Sequence, residues 1–173
     1  VFSEIRDLFA QTREATRDGL KPRHFSLNTE GGRCETCQGA GFQTMDMQFL
    51  EDIIVTCETC EGKRFRPEIL KVNYRDRNIY DVLNMTADEA ITFFQAHPRI
   101  LSKLQILKDV GLGYLTLGQQ SPSLSGGEAQ RLKLAGFLTE GERDQEGAGN
   151  LFLFDEPTTG LHFDDIATLL GAL

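Results

Sequence analysis

The sequence predicts an α/β protein, and three observations predict it. Leu151-Phe152-Leu153-Phe154 is a short apolar run ending in Asp155-Glu156-Pro157, as a strand buried on both faces would end. Helical periodicity dominates the stretch from Thr86 to Thr139. Upstream, two Cys-x-x-Cys pairs flank a segment in which apolar and polar residues alternate.

Five segments follow in order. In residues 1–24, Val1, Ile5, Leu8 and Phe9 share one helical face, and the polar stretch from Gln11 to Pro22 reads as a loop or short helix. Residues 25–85 hold a Cys/Gly-rich β module. There Met45, Met47 and Phe49 alternate with Thr44, Asp46 and Gln48, predicting a half-buried strand with Ile53-Ile54-Val55 as its returning partner. A third strand is expected from Ile69 to Tyr74, before a turn at Asp76-Arg77-Asn78.

Residues 86–139 read as a helical subdomain. Thr86-Ala87-Asp88-Glu89 has the capping-box spacing and predicts a helix to about His97, stopped by Pro98. Ile100, Leu104, Leu107 and Lys108 continue in helical register to Gly111, a C-terminal stop. A last helix follows Ser125-Gly126-Gly127, with Ala129, Leu132, Leu134, Ala135 and Leu138 as its apolar positions. Residues 140–150 lack apolar periodicity and are expected to form a flexible acidic loop. Residues 151–173 add the buried strand and a helix carrying Ile166, Leu169, Leu170 and Leu173.

Composition bounds the function. With 173 residues, 40% of them hydrophobic, the chain can bury a core. No apolar run approaches the roughly 20 residues that span a bilayer, and no secretory leader opens the chain, so no membrane association and a cytoplasmic location are expected. The chain starts without methionine and stops inside a helical pattern, the expectation for a segment of a larger protein. Net charge is −8, so contact with nucleic acid would require a local basic patch.

Such a patch exists. Lys63, Arg64, Arg66 and Lys71 cluster around Phe65, with Arg75 and Arg77 beyond. They suit phosphate contacts to double-stranded DNA, and equally a solvated hairpin face. Just ahead of them, Cys34-x-x-Cys37 and Cys57-x-x-Cys60 are separated by 19 residues, the arrangement of a four-thiolate zinc site. A redox pair or unrelated buried thiols are the other readings of four cysteines. Closed four-cysteine sites are structural, so the zinc is expected to staple a hairpin rather than to catalyse.

The remaining motifs concern a nucleotide. At the end of the buried strand, Asp155 can hold Mg²⁺ through its water, and Glu156 can accept a proton from an attacking water. The same two carboxylates could merely open a turn. Ser125-Gly126-Gly127 places small residues at a helix N-terminus, where free amides and the helix dipole favour a phosphate, although a bare S-G-G is also ordinary helix punctuation. No phosphate loop G-x-x-x-x-G-K-[ST] occurs, and Gly62-Lys63 fails both its spacing and its hydroxyl. The chain is therefore expected not to hydrolyse ATP alone.

Leu124-Ser125-Gly126-Gly127-Glu128-Ala129-Gln130-Arg131 resembles the signature of ABC-type ATPases, and Leu151 to His162 resembles their Walker B segment and D-loop. With Gly31-Gly32-Arg33-Cys34-Glu35-Thr36-Cys37-Gln38-Gly39 upstream, the whole chain resembles the C-terminal nucleotide-binding half of the UvrA family of bacterial excinuclease subunits. The resemblance implies a partial ABC-type P-loop NTPase core with a helical signature subdomain and a zinc-stapled β-hairpin insertion. It implies Glu156 as the catalytic base, Asp155 as the Mg²⁺ residue, and Ser125, Gly126, Gly127, Glu128 and Gln130 as nucleotide-binding residues.

Further implications are ATP, Mg²⁺ and Zn²⁺ as cofactors and paired nucleotide-binding halves or a homodimer. Partners would be a UvrB-type helicase subunit and double-stranded DNA, in nucleotide excision repair. The phosphate loop would precede Val1 and the switch histidine would follow Leu173, so His162 is not that histidine; His24 and His97 read as surface or helix-end residues. Two other readings stand beside this one. Gly136-Phe137 and the acidic stretch after Thr139 depart from the family pattern, which admits a UvrA-like paralogue in drug tolerance or another DNA transaction. Cys34 to Gly41 also resembles the zinc repeat of DnaJ-type chaperones, which admits an interaction module without a nucleotide.

Overall fold

The structure, a computed structural model, describes residues 1–45, 47, 53–141 and 166. The chain divides into two compact units, one from Phe2 to Val82 and one comprising Val1 and Leu83–Leu173. Among the described residues it is a mixed helix and strand fold whose sheets are two-stranded antiparallel ribbons.

In the first unit, helix α1 (Phe2–Ala10) buries Ile5 and Phe9, two positions of the predicted apolar face. The Gln11–Pro22 stretch contains a short helix, α2 (Arg13–Arg17), because Thr12 caps it by accepting from the Ala15 amide at 3.3 Å. A 3-10 turn (Pro22–Phe25) then brings Phe25 to 5.6 Å from Phe9, ring to ring, and Tyr74 meets Phe9 edge-on at 6.4 Å. His24 ends its ring against that turn, with Nδ1 accepting from the Lys21 amide at 2.8 Å. Phe65, Ile69, Val72, Ile79 and Val82 complete the buried apolar set of this unit.

Strands β1 (Phe42–Met45) and β2 (Ile53–Thr56) pair antiparallel, with Phe42 opposite Thr56 and Met45 opposite Ile53. The half-buried strand expected here is not observed. Met45 is 56% exposed and Ile54 67%, since the ribbon has no second layer packed against it among the described residues. Asp46, Gln48 and Phe49 lie outside the described residues.

The expected third strand is also corrected. Pro67 starts a helical turn, α3 (Pro67–Leu70), where its missing N–H and fixed φ suit the first position, and Ile69 is buried from it. Only Asn73–Tyr74 (β3) is extended, pairing with Arg77–Asn78 (β4). The turn between them is Arg75-Asp76, at φ of 49° and 61°, rather than Asp76-Arg77-Asn78. Two left-handed residues match the strand twist of a two-residue hairpin.

In the second unit, helix α4 (Ile79–Leu83), which begins in the first, leads to α5 (Ala87–Phe93). The Thr86 capping box forms as the sequence predicts: Thr86 Oγ1 accepts from the Glu89 amide at 3.2 Å, and Glu89 Oε2 accepts from the Thr86 amide at 2.8 Å. The helix stops at Phe93, short of His97, and Pro98 begins the next helix, α6 (Pro98–Asp109), with His97 as its N-cap. Gly111, at φ 77°, closes α6: its amide donates to Lys108 O and that of Leu112 to Leu107 O, the Schellman pattern.

Residues 113–118 then run antiparallel to 83–88. The amides of Ala87 and Asp88 donate to Leu115 O and Gly113 O, and those of Leu117 and Gly118 to Met85 O and Leu83 O. Helix α7 (Gly126–Gly141) follows a 3-10 turn (Ser121–Ser123) and packs Leu134 and Ala135 against Val110 and Leu112. The expected apolar stripe of α7 holds at Leu134, Ala135 and Leu138, but Leu132 is 41% exposed and its neighbour Arg131 is buried instead. The strand at Leu151–Phe154, on which the α/β expectation rested, lies outside the described residues.

Gly32 is the tightest backbone approach of the first unit. A Cβ there would stand 1.7 Å from His24 O, while Gly32 O accepts from the Arg66 amide at 2.9 Å, so neither segment can retreat independently. Gly32→Ala is expected to destabilise the Phe2–Val82 unit by about 3 kcal/mol, read as a fall in urea midpoint, whereas Gly19→Ala, with open space around it and only its φ of 66° against the new side chain, should lose about 1 kcal/mol.

Candidate functional site

Two Cys-x-x-Cys knuckles build the strongest site among the described residues. In each, the residue after the second cysteine and the glycine after that are left-handed: Gln38 and Gly39 at φ 51° and 86°, Glu61 and Gly62 at 51° and 79°. In each, the amide three residues beyond the second cysteine returns to its carbonyl, Ala40 to Cys37 at 2.9 Å and Lys63 to Cys60 at 2.8 Å. The knuckles then exchange backbone bonds. The Cys57 amide donates to Gly41 O at 3.0 Å and the Cys34 amide to Arg64 O at 2.8 Å. The repeat visible in the sequence as two cysteine pairs is therefore a local pseudo-twofold that extends through Gly41 and Arg64.

This exchange gathers four buried thiols whose Sγ atoms all lie within 4.8 Å of one another. Cys34 and Cys57 Sγ are 3.9 Å apart, Cys37 and Cys60 Sγ 3.6 Å. Four thiolates about 2.3 Å from a tetrahedral zinc stand roughly 3.8 Å from each other, so the cage fits that ion. The backbone supports the anionic form. The Gly41 amide donates to Cys37 Sγ at 3.2 Å, and the Cys60 amide is foremost in drawing the Cys57 thiol down to about 7. Burial pushes the Cys60 thiol the other way.

The basic cluster around the module is already engaged. Lys63 Nζ meets Glu61 Oε2 at 2.7 Å, and Arg66 pairs with Glu35 and, at 3.7 Å, with Glu68. Arg64 Nε donates to Gly39 O at 2.7 Å. Lys71 caps α3 and is exposed. Exposed pairs contribute at most about 1 kcal/mol, so phosphates can displace those of Lys63 and Arg66.

A second site lies at the start of α7. Ser125 and Glu128 form a capping box: Ser125 Oγ accepts from the Glu128 amide at 3.2 Å and Glu128 Oε2 from the Ser125 amide at 2.8 Å. Tyr114 donates its hydroxyl to Glu128 Oε1 at 2.6 Å. Sequence reasoning missed Tyr114, although the Ser-x-x-Glu spacing was there to be read as a cap. Ser125 and Gly126 are exposed, and a Cβ on Gly126 would meet nothing within 4 Å; with the Ser125 and Glu128 amides taken by the capping box, the amides of Gly126 and Gly127, which have no acceptor within a helix, are the ones left to a ligand. Gln130 is half-buried one turn on, and Arg131 is buried with Nε and Nη1 lacking hydrogen-bond partners among the described residues. Asp155 and Glu156 lie outside the described residues.

No protein-family model matches the chain. All 173 residues align, at 57% identity, with UvrABC system protein A of Aquifex aeolicus. The chain matches a segment of UvrA. The corresponding protein of Thermus thermophilus is also 57% identical and that of Streptococcus pyogenes 54%, again over the whole chain. The chain spans 18% of the length of each of these UvrA relatives. The crystal structure of UvrA2 from Deinococcus radiodurans superposes with a TM-score of 0.87 at 47% identity, covering 98% of this chain and 20% of that one. Among the described residues no helix is long and apolar enough to cross a membrane.

Two outcomes follow from this geometry. Cys57→Ser is expected to abolish one-to-one zinc binding, measured with a chromogenic chelator, and to open residues 34–64 to protease; retained stoichiometric zinc would reject the four-thiolate cage. Glu128 is held below the ordinary carboxylate range, first by the Tyr114 hydroxyl and then by the Ser125 amide. Its contribution is therefore complete above the unfolded value of about 4.3 and is lost as pH falls through the depressed folded value. Amide exchange at Ser125 should quicken across that acidic window, and in Tyr114→Phe the quickening should begin at higher pH.

Proposed function

We propose that this chain is the signature-, Walker B- and zinc-bearing segment of the DNA-damage-recognition ATPase of nucleotide excision repair. The observation that carries the reading is the exposed, capped S-G-G-E turn of α7 in a chain aligned throughout with UvrABC system protein A. In this reading residues 25–85 are the zinc module and 86–139 the signature subdomain, followed by the acidic loop (140–150) and the Walker B strand and D-loop (151–173).

Chemically, the turn acts as a lid. The Ser125 hydroxyl already accepts from the Glu128 amide but keeps its own proton, so it can donate to a terminal phosphate oxygen. The Gly126 and Gly127 amides and the positive end of the helix dipole add donors without a side chain in the way. Glu128 is held back from the phosphate by Tyr114 and the Ser125 amide, so its negative charge stays committed to the cap. Gln130 flanks the same turn. ATP and Mg²⁺ would be gripped between this lid and a phosphate loop on the opposing half of a paired or dimeric assembly, with Asp155 holding the ion's water and Glu156 receiving the proton of the attacking water.

Zinc, held by Cys34, Cys37, Cys57 and Cys60, supplies structural cross-linking. It would fix the hairpin and the basic residues beside it for sequence-independent contact with double-stranded DNA through Lys63, Arg64, Arg66 and Lys71. ATP turnover coupled to DNA engagement would then govern loading of a UvrB-type partner. Identity of 57% with UvrABC system protein A, against 47% with UvrA2, favours the repair subunit over a paralogue. A chaperone-like interaction module accounts for the cysteines alone and leaves the α7 turn without a role.

In the full-length protein, Glu156→Gln is expected to lower ATP turnover by about 10²-fold or more while leaving zinc content and ATP binding intact. Unchanged turnover in a steady-state phosphate-release assay would remove Glu156 from the catalytic role.

A further inference from the structure

The pseudo-twofold of the cysteine knuckles is broken at one position. Four residues beyond the second cysteine of the first knuckle stands Gly41, at φ 86°; four beyond that of the second stands Arg64, at φ 71°. Both are left-handed, and both carbonyls accept from the first cysteine of the other knuckle. Glycine occupies that conformation without strain, whereas an arginine there is held against an unfavourable backbone of order 1 kcal/mol or more. Such strain persists where the side chain is needed.

The side chain's course shows for what. Arg64 crosses over Gly41, where an added Cβ would come within 3.1 Å of Arg64 Cγ and 3.0 Å of Gly62 O. It then donates Nε to Gly39 O at 2.7 Å, joining the second knuckle to the left-handed glycine of the first. The guanidinium is half-buried, and its Nε rests on the carbonyl of a residue two positions from Cys37, which brings the cation beside the cage; desolvation there acts against the charge, and Cys37 favours it less strongly. A zinc ion with four thiolates carries two net negative charges, and an arginine remains protonated under all ordinary conditions.

We propose that Arg64 is a positioning residue for the zinc centre: it clips the two knuckles together through Gly39 and sets a fixed positive charge beside the thiolate cage. Gly41 is the complementary half of the device, its missing Cβ leaving the channel through which Arg64 passes. The pseudo-twofold is asymmetric because one such clip fills the space that two would need. The basic residue nearest the cysteines thus faces inward as well as toward any phosphate. The inference rests on the zinc reading of the four cysteines.

The test is zinc transfer from the metal-loaded chain to a chromogenic chelator in excess, with Arg64→Gly and Arg64→Lys compared to the unsubstituted protein. Glycine is at ease at φ 71°, so Arg64→Gly removes the clip without introducing strain, and circular dichroism checks that the fold is kept. Zinc affinity is expected to fall roughly 10- to 100-fold in Arg64→Gly. Arg64→Lys, which keeps the charge but not the planar Nε donor, should fall between. Equal or slower zinc loss from Arg64→Gly would overturn the proposal, because it would show that relief of the backbone outweighs any hold on the metal. An unsubstituted chain that takes up no zinc would overturn the metal centre and this inference together, an outcome distinct from normal uptake with no effect of Arg64.

Discussion

The convergence of four buried cysteines, held by reciprocal backbone hydrogen bonds between two knuckles, is the constraint on which the first unit turns. The β1–β2 ribbon has exposed apolar residues along it, so burial cannot hold its strands in register. Two-stranded ribbons are marginal by themselves, and this one is anchored at its base, where Gly41 O and the Cys57 amide continue the ladder into the cage. A metal held there by the four cysteines would convert a weak local contact into a cross-link between residues 23 apart in sequence, Cys34 to Cys57. The left-handed residues Gln38, Glu61 and Arg64 persist because the knuckles require them, and the same requirement explains why glycine recurs at 39, 41 and 62.

A different logic organises the second unit, in which helix ends do most of the positioning. Two capping boxes, Thr86 with Glu89 and Ser125 with Glu128, fix the starts of α5 and α7. Between them the Schellman stop at Gly111 turns the chain so that residues 113–118 pair with 83–88. Asp88 lies against Gly113, where a Cβ would meet its carboxylate at 2.5 Å, and it also receives Lys108 Nζ at 3.0 Å. Tyr114 leaves this ribbon to hold Glu128. The S-G-G turn is thereby attached to a packed frame rather than to a free loop, so its amides are held in fixed directions.

Much of this could be read from residue order. The zinc ligands, the Thr86 cap, the glycine stop at 111 and the helix after Ser125-Gly126-Gly127 depend on chemistry within a few residues, which spacing records directly. The errors fell where a residue's environment is set by distant chain. Alternation through Met45 suggested a buried face, but nothing among the described residues packs on it. Ile69 looked like strand until Pro67 imposed a helical turn. Leu132 fitted an apolar stripe whose positions 134 and 135 are buried, yet Leu132 itself is exposed and Arg131 is buried beside it. The basic run could not reveal its own pairing, since Glu35 lies 31 residues from Arg66.

By itself the sequence determined the four-cysteine set and the helix caps, because each rests on short patterns whose chemistry is written in their own neighbourhood. Only the tertiary structure decided that the two cysteine pairs form a pseudo-twofold, that Arg64 crosses it to Gly39, and that Tyr114 braces the capped turn. Those contacts join segments between 14 and 25 residues apart. Their geometry depends on left-handed backbone and close glycine approaches that no local propensity prescribes.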